Sequence, residues 1–231
     1  MSNYIKPVFL IFFIVFIACQ SSKKKVEEAP VFNAKDLTGW HIYNQGKIDS
    51  KWKVVNEELI CDPKNTGVFG DIITDNEYEN FELEFEWKVS KGGNSGVFIN
   101  VKEDTAYAAT FATGLEMQLL DNANAEPRHQ VDSTHWAGCL YAVECRGSAS
   151  KPKSFNEWNQ GKIRQEHGKV TFWLNGEITF QDDVHTPAFK EKVANTNMKN
   201  YPAFGTFKSG KIAFQNHTDS VGFRKIHLRE L

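Results

Sequence analysis

Along most of the chain, apolar residues recur at every second position rather than every third or fourth, which is the period of a strand with one covered face. The clearest run is Phe81-Glu-Leu83-Glu-Phe85-Glu-Trp87, with four large apolar side chains on one face and Glu82, Glu84 and Glu86 on the other. This pattern predicts a half-buried antiparallel strand. The same alternation appears in Leu115-Glu-Met117-Gln-Leu119, Val170-Thr-Phe172-Trp-Leu174, Ile212-Ala-Phe214-Gln and Val221-Gly-Phe223-Arg. Turn signals separate these runs: Lys91-Gly-Gly-Asn-Ser-Gly96, Glu166-His-Gly168, Asn175-Gly176 and Lys208-Ser-Gly210. Asn175-Gly176 lies between two apolar runs and predicts a two-residue hairpin. Helix is expected only in a short stretch around Pro187 to Ala194. Asp121 to Trp136 and Lys151 to Trp158 read as long polar connections, where binding groups tend to sit on a rigid β scaffold. Many short strands with little helix predict an all-β fold, a two-sheet antiparallel sandwich or jelly roll.

The N-terminal stretch follows a different pattern. Lys6 supplies a positive charge, and Val8 to Ala18 is an unbroken apolar run. Spanning a bilayer takes about 20 residues, so this shorter run predicts a secretory signal over residues 1–18. Phe16-Ile17-Ala18-Cys19 resembles a lipobox, in which cleavage before Cys19 leaves that cysteine to be acylated. Gln20 to Pro30 is polar and charged and cannot bury enough apolar surface to order itself. Residues 19–30 are therefore expected to be a lipid-anchored tether to the cell envelope, and residues 31–231 a single domain.

Composition narrows the class. The formal charge of the 231-residue chain is −2, from 27 basic and 29 acidic residues, so there is no electrostatic footprint for nucleic acid. Aromatic residues make up 13% of the chain, with 18 Phe and 6 Trp, enough for a large core and some stacking surface. Beyond Cys19 the cysteines are Cys61, Cys139 and Cys145, an odd number that leaves at least one thiol free. Cys139 and Cys145 are spaced so that they could face each other across a strand pair or loop. The chain contains no Gly-x-Ser-x-Gly elbow, phosphate-binding loop or His-Glu-x-x-His motif.

Strand parity then sorts the candidate chemistry. If Leu115, Met117 and Leu119 face the core, Glu116 and Gln118 face away from it. By the same rule Ile212 and Phe214 point inward, leaving Gln215 and His217 for the opposite face. On a shared sheet these residues would display carboxylate, amide and imidazole together, groups suited to sugar hydroxyls and proton transfer. Trp136, Tyr141 and Trp158 are candidate platforms for a sugar ring, with core or rim packing as the alternative. Glu86 adjoins the Gly-rich turn, although Glu82, Glu84 and Glu86 on one strand are more often a solvated face than a site.

Taken together, Phe32-Asn-Ala-Lys-Asp-Leu-Thr-Gly-Trp40, Trp52-Lys-Val54, Tyr78 to Trp87, Gly93-Asn-Ser-Gly-Val97, Gly114-Leu-Glu-Met-Gln-Leu-Leu-Asp121, Ala137-Gly-Cys-Leu-Tyr141, Glu157-Trp-Asn159, Trp173-Leu-Asn-Gly176, Gly210 to His217 and Phe223-Arg-Lys-Ile226 resemble the 3-keto-disaccharide hydrolase family. The resemblance covers about Phe32 to Leu231. It departs from the family pattern at Asn56-Glu57-Glu58, where Asp-Gly is usual, and at Lys225, where Asn is frequent.

The resemblance implies a concanavalin A-like jelly roll acting on 3-keto-glycosides, a carbohydrate substrate that a partner sugar 3-dehydrogenase would make from ordinary glycosides. A ketone at C3 acidifies the hydrogen on C2, so a base can remove that proton and the C1 substituent can leave, after which water adds. By position in the family motifs, Glu116, Asp121 and His217 become candidates for acid/base work, and Glu86 joins them. Gln118, Gln215, Asn94, Ser95, Tyr141, Trp158 and Arg224 become candidates for binding or support, with an ion pair bracing the last strand as the alternative for Arg224. No cofactor is required by the sequence, and a divalent metal is possible. Two rival readings are an orthodox glycoside hydrolase and a non-catalytic carbohydrate-binding lipoprotein. The first needs paired carboxylates. Jelly-roll β-glucanases carry Glu-x-Asp-x-x-Glu on one strand, whereas this chain has Glu116-Met-Gln-Leu-Leu-Asp121, with an amide at the central acid.

Overall fold

The computed structural model describes residue 1 and residues 30–231. Apart from Met1, the expected signal sequence, Cys19 and all but the last residue of the tether lie outside the described residues. In chain order the strands are β1 (Trp40–Ile42), β2 (Trp52–Val55), β3 (Glu58–Cys61), β4 (Ile72–Thr74), β5 (Phe81–Val89), β6 (Asn94–Val101), β7 (Leu115–Leu120), β8 (Asn159–Glu166), β9 (Lys169–Leu174), β10 (Glu177–Asp183), β11 (Lys211–Phe214) and β12 (Val221–Glu230). They form two antiparallel sheets, one ordered β1-β4-β11-β6-β7 and the other β10-β9-β8-β5-β12-β3-β2. The expected jelly-roll sandwich is the fold found. Two short helices interrupt it, α1 (Pro127–Gln130) and α2 (Pro187–Ala194). Among the described residues no helix is long and apolar enough to cross a membrane.

The alternation on β5 translates directly into packing: Phe81, Leu83, Phe85 and Trp87 are buried in the core between the sheets, and the intervening glutamates face out. Aromatic rings join the two layers. Phe214 of β11 stacks on Phe223 of β12 with ring centres 4.3 Å apart and planes 9° from parallel, and Trp40 and Phe85 close around the pair. Such contacts add to the area term of burial.

The local signals act as expected at most turns. Asn175 (φ +50°) and Gly176 (φ +91°) join β9 to β10 with Leu174 opposite Glu177, the hairpin anticipated from Asn-Gly. Thr186 caps α2 by accepting a hydrogen bond from the Phe189 amide at 3.2 Å, with Pro187 in the first turn. The Gly-rich run is shorter as a turn than its composition suggested, because β6 already begins at Asn94. All eight β6 residues are buried, and Phe98 and Val101 pack in a second apolar cluster with Tyr43, Ile73 and Ala213. The polar stretch 121–136 is not wholly irregular, since it holds α1 and a 3₁₀ turn at Ser133–His135.

Both departures from the family pattern fall where the backbone turns left-handed. Asn56 (φ +51°) and Glu57 (φ +65°) form the two-residue link between β2 and β3, and Lys225 (φ +50°) sits in a β12 bulge. Asn tolerates this region better than Glu. Glu57→Gly should therefore stabilise the protein, by about 0.5–1 kcal/mol. A urea or thermal melt checks this, and no gain would mean that another contact holds Glu57 in place.

Candidate active site

The site is assembled on the outer face of the five-stranded sheet. On β7, Leu115, Met117 and Leu119 enter the core, so Glu116 and Gln118 project outward. The neighbouring β6 places Gly96 opposite Gln118, and a side chain at Gly96 would overlap the Glu116 carboxyl. Gly96 therefore leaves the space in which that carboxyl lies. On β11, Phe214 turns inward, and the chain continues along the same sheet with the Gln215 amide donating to the Gly96 carbonyl at 2.9 Å. This brings Gln215 and His217 alongside Glu116.

Segment 138–141 runs along the free edge of β7 and brings Tyr141 to a roof completed by residues 128–135. Gly138 donates to the Gln118 carbonyl at 2.7 Å, the Gln118 amide donates to the Cys139 carbonyl at 3.0 Å, and Tyr141 donates to the Glu116 carbonyl at 3.1 Å. The Cys139–Cys145 disulfide closes the loop behind this segment, and Cys61 remains a free, buried thiol. Between floor and roof lies a cavity of about 360 Å³. Asn94, Glu116, Gln118, Gln215 and His217 line it from the sheet, Arg128, His129, His135 and Tyr141 from the roof, and Phe111, Met198 and Tyr201 from an apolar side. Three of its polar atoms are buried without a partner: His129 Nδ1, His135 Nδ1 and Gln215 Oε1. An unmet buried polar atom costs about 1–3 kcal/mol, so three around one cavity mark a place prepared for a polar ligand.

The electrostatics single out Glu116. Burial pushes its pKa well above the ordinary carboxylate value, and the nearby Asp71 charge adds to the rise. Asp71 is itself raised by burial, while hydrogen bonds from Thr110 Oγ1 at 2.5 Å and the Asn216 amide at 2.9 Å, together with the His217 charge, pull it back. Burial, then the Glu116 charge, raise the Tyr141 phenol, which favours its neutral form as a hydrogen-bond donor. Burial, then Arg128 and His135, lower the His129 pKa and favour neutral imidazole. Arg128 pairs with Glu126 at 2.7 Å.

Six of the candidates read from the sequence meet here: Asn94, Glu116, Gln118, Tyr141, Gln215 and His217. Five do not. Asp121 is buried outside the cavity, where it accepts from the Gly92 amide at 2.9 Å and from Asn124 Nδ2 at 2.8 Å and so holds the Gly-rich turn. Ser95 has the opposite strand parity to Asn94 and Gly96, and its hydroxyl donates to the Gln215 carbonyl at 2.9 Å. Glu86, Arg224 and Trp158 belong to the other sheet. Glu86 pairs with Arg224 at 2.6 Å and Lys225 at 2.8 Å, and Trp158 is flanked by Arg224 and Lys88 at 4.1 and 4.2 Å. The bracing role considered for Arg224 is the one its geometry supports. A second cavity of about 410 Å³ lies on that sheet, but its carboxylates Glu84 and Glu86 are matched by Lys162, Lys225 and Arg224. Parity assigned each side chain to a face without saying which sheet its strand would join.

Sequence reasoning missed Asp71, Arg128, His129 and His135. The last three lie in the polar 121–136 stretch, whose Arg and two His were the available signal, whereas Asp71 precedes a fully buried three-residue strand that shows no alternation. Among the described residues no three His, Cys, Asp or Glu side chains cluster closely enough to hold a metal ion.

Comparison with known proteins extends these observations. A family model described as a 3-keto-alpha-glucoside-1,2-lyase-like domain matches residues 27–229. A Bacteroides thetaiotaomicron protein named 3-keto-disaccharide hydrolase is 29% identical over 225 residues, covering 87% of this chain and 77% of that one. The crystal structure of a candidate glycosyl hydrolase from Parabacteroides distasonis superimposes with a TM-score of 0.77 at 29% identity, covering 87% of this chain and 92% of its own. A Bacillus subtilis protein with a galectin-like fold, 12% identical over 87% of this chain and 93% of its own, shares the fold with a TM-score of 0.51.

The dependence of Glu116 on Gly96 is open to direct test. In Gly96→Ala the new methyl group displaces the carboxyl toward solvent, and the Glu116 titration, followed by carboxyl ¹³C NMR, moves down toward the ordinary value of about 4.3. An unmoved titration would show that Gly96 does not shape the pocket.

Proposed function

Since the chain belongs to the 3-keto-alpha-glucoside-1,2-lyase-like family, we propose that it is a glycoside-cleaving enzyme whose substrate is a 3-keto-glycoside, acted on in the Glu116 cavity. The observation that carries this reading is a single buried carboxyl. Glu116 is the only carboxylate among the described residues lining the cavity, and its pKa is raised. Displacement at C1 by the orthodox route uses two carboxyl groups, about 5 Å apart in retaining enzymes. Elimination from a keto sugar needs one base with a pKa near the working pH.

In the proposed sequence Glu116 takes the C2 proton, and the electron pair of that bond moves toward the C3 carbonyl to form an enolate. Neutral Tyr141 and the Arg128 guanidinium donate to the enolate oxygen. Collapse of the enolate forms a C1–C2 double bond and expels the C1 oxygen, which takes a proton from His217. Water adds at C1 and gives up a proton to His217, and the proton held by Glu116 returns to C2. Gln118, Asn94 and Gln215 hold sugar hydroxyls, and Phe111 and Tyr201 offer apolar surface to the ring. The ketone comes from a sugar 3-dehydrogenase, and acylation at Cys19 holds the enzyme at the cell envelope. No step requires a metal or an organic cofactor.

The purified protein is tested with a simple glucoside and its 3-keto derivative, each with and without EDTA. Cleavage of the keto sugar alone, unaffected by EDTA, is expected. Cleavage of the unoxidised glucoside would sink the elimination route, and sugar binding without cleavage would leave a carbohydrate-binding protein. Glu116→Gln and His217→Ala should each lower kcat at least 100-fold, the lower end of the contribution typical of a positioned acid or base.

Two pH effects follow from the raised Glu116 pKa. The base works only when ionised, so turnover rises with pH through a limb lying above the ordinary carboxylate range. Folding has the opposite dependence: the folded-state pKa exceeds the unfolded one, so ionising Glu116 costs stability as pH rises between the two. Glu116→Gln should therefore melt higher than the parent at neutral pH, each kcal/mol relieved raising Tm by about 2–4 °C. A lower Tm would contradict the cost assigned to this buried charge.

A further inference from the structure

A chain of side-chain amides leads from Glu116 to an imidazole that the scheme above leaves without a role. One end of the Gln118 amide lies 3.1 Å from Glu116 Oε1 and 3.1 Å from the Ser95 carbonyl oxygen. Its other end lies 3.1 Å from the Asn94 amide, whose far end is 3.3 Å from His129 Nε2. Gln118, Asn94 and His129 are only 1%, 7% and 3% exposed, so water does not substitute for these contacts.

The donor and acceptor inventory leaves one consistent orientation. A peptide carbonyl and an ionised carboxylate both only accept, so the Gln118 atom that faces them is its nitrogen. Gln118 Oε1 therefore points at Asn94, which must answer with Nδ2. Asn94 Oδ1 is left facing His129 Nε2, which must carry the imidazole proton. His129 Nδ1 then holds a bare lone pair, and it is buried without a partner in a residue that lines the cavity.

We propose that His129 is a substrate-binding residue whose Nδ1 accepts a hydrogen bond from a hydroxyl of the sugar ring, its tautomer fixed through Asn94 and Gln118 by the Glu116 carboxylate. An acceptor cannot bind a ketone oxygen, so His129 reads a hydroxyl of the sugar rather than the ketone. The charged and titratable groups acting on this imidazole, Arg128, His135 and His217, disfavour its protonation, and Glu126 alone opposes them. Losing a hydrogen bond to a substrate hydroxyl leaves a buried group unpaired, which is why such contacts discriminate strongly. The proposal takes its sugar ligand from the functional reading above, but its first test does not depend on turnover.

The test uses the protein labelled with ¹⁵N-histidine, with the His129 signals identified by their loss in His129→Gln. Long-range ¹H–¹⁵N correlation in the ligand-free protein at neutral pH is expected to show the proton on Nε2 and none on Nδ1. A protonated Nδ1 overturns the proposal even if the keto sugar is cleaved. Titration with methyl 3-keto-glucoside is expected to shift the Nδ1 resonance, and a resonance unmoved at saturating sugar also overturns it. A shift without cleavage supports the binding role and counts instead against the elimination scheme. Steady-state kinetics add a second measurement. His129→Gln keeps a donor near Nε2 but loses the Nδ1 acceptor, and should raise KM about tenfold or more with a smaller change in kcat. His129→Asn places an oxygen near the Nδ1 position and should recover part of that loss. Equal KM values for the parent and His129→Gln would refute the contact.

Discussion

The structure depends on a face-to-face aromatic contact between layers. Phe214 and Phe223 come from different sheets and stack 4.3 Å apart, with Trp40 and Phe85 closing the cluster. Phe214 is the last residue of β11, so its inward orientation decides where the next residues go. Gln215 continues along the sheet bonded to Gly96, and His217 reaches the cavity two residues later. The core contact thus sets the parity of half the cavity floor, and Leu115, Met117 and Leu119 set the other half through β7. The close packing of interiors makes such an orientation hard to change.

The floor alone does not explain a carboxyl with a raised pKa. Strand parity would leave Glu116 on a solvated sheet face, as it leaves Glu84 on β5. Two additions bury Glu116: the gap at Gly96, into which its carboxyl settles, and the roof carrying Tyr141, His129 and His135. The contrast with Glu86 is instructive, because its flanking cations Arg224 and Lys225 lower its pKa despite some burial. Two glutamates on strands of the same alternating pattern are thus given opposite proton affinities, one by the lack of a paired cation and the other by two.

Legibility in the sequence followed range. Alternation over a few residues disclosed the strands, Asn175-Gly176 disclosed a hairpin, and parity disclosed Glu116, Gln118, Gln215 and His217 as outward groups. Which strands share a sheet is a long-range outcome, so Glu86, Arg224 and Trp158 were grouped with a site on the opposite layer. Motif position carried the readings of Asp121 and Ser95, which serve the turn and the neighbouring strand instead. The roof residues Arg128, His129 and His135 sit in segments without periodicity, where composition alone hinted at them. The two left-handed departures at Glu57 and Lys225 had the reverse character: they were visible as oddities in the sequence, and the backbone angle explains them.

The roof has one more consequence. β7 is the outermost strand of its sheet, and an uncovered outer strand presents a row of unpaired amides and carbonyls that can recruit another chain. Residues 138–141 occupy that row through three backbone hydrogen bonds, and the disulfide behind them holds them there. The segment that carries Tyr141 to the cavity therefore also keeps the sheet from growing into a neighbour. Edge protection and the placement of Tyr141 at the cavity are tied to the same short segment, and sequence change in it is constrained from both sides.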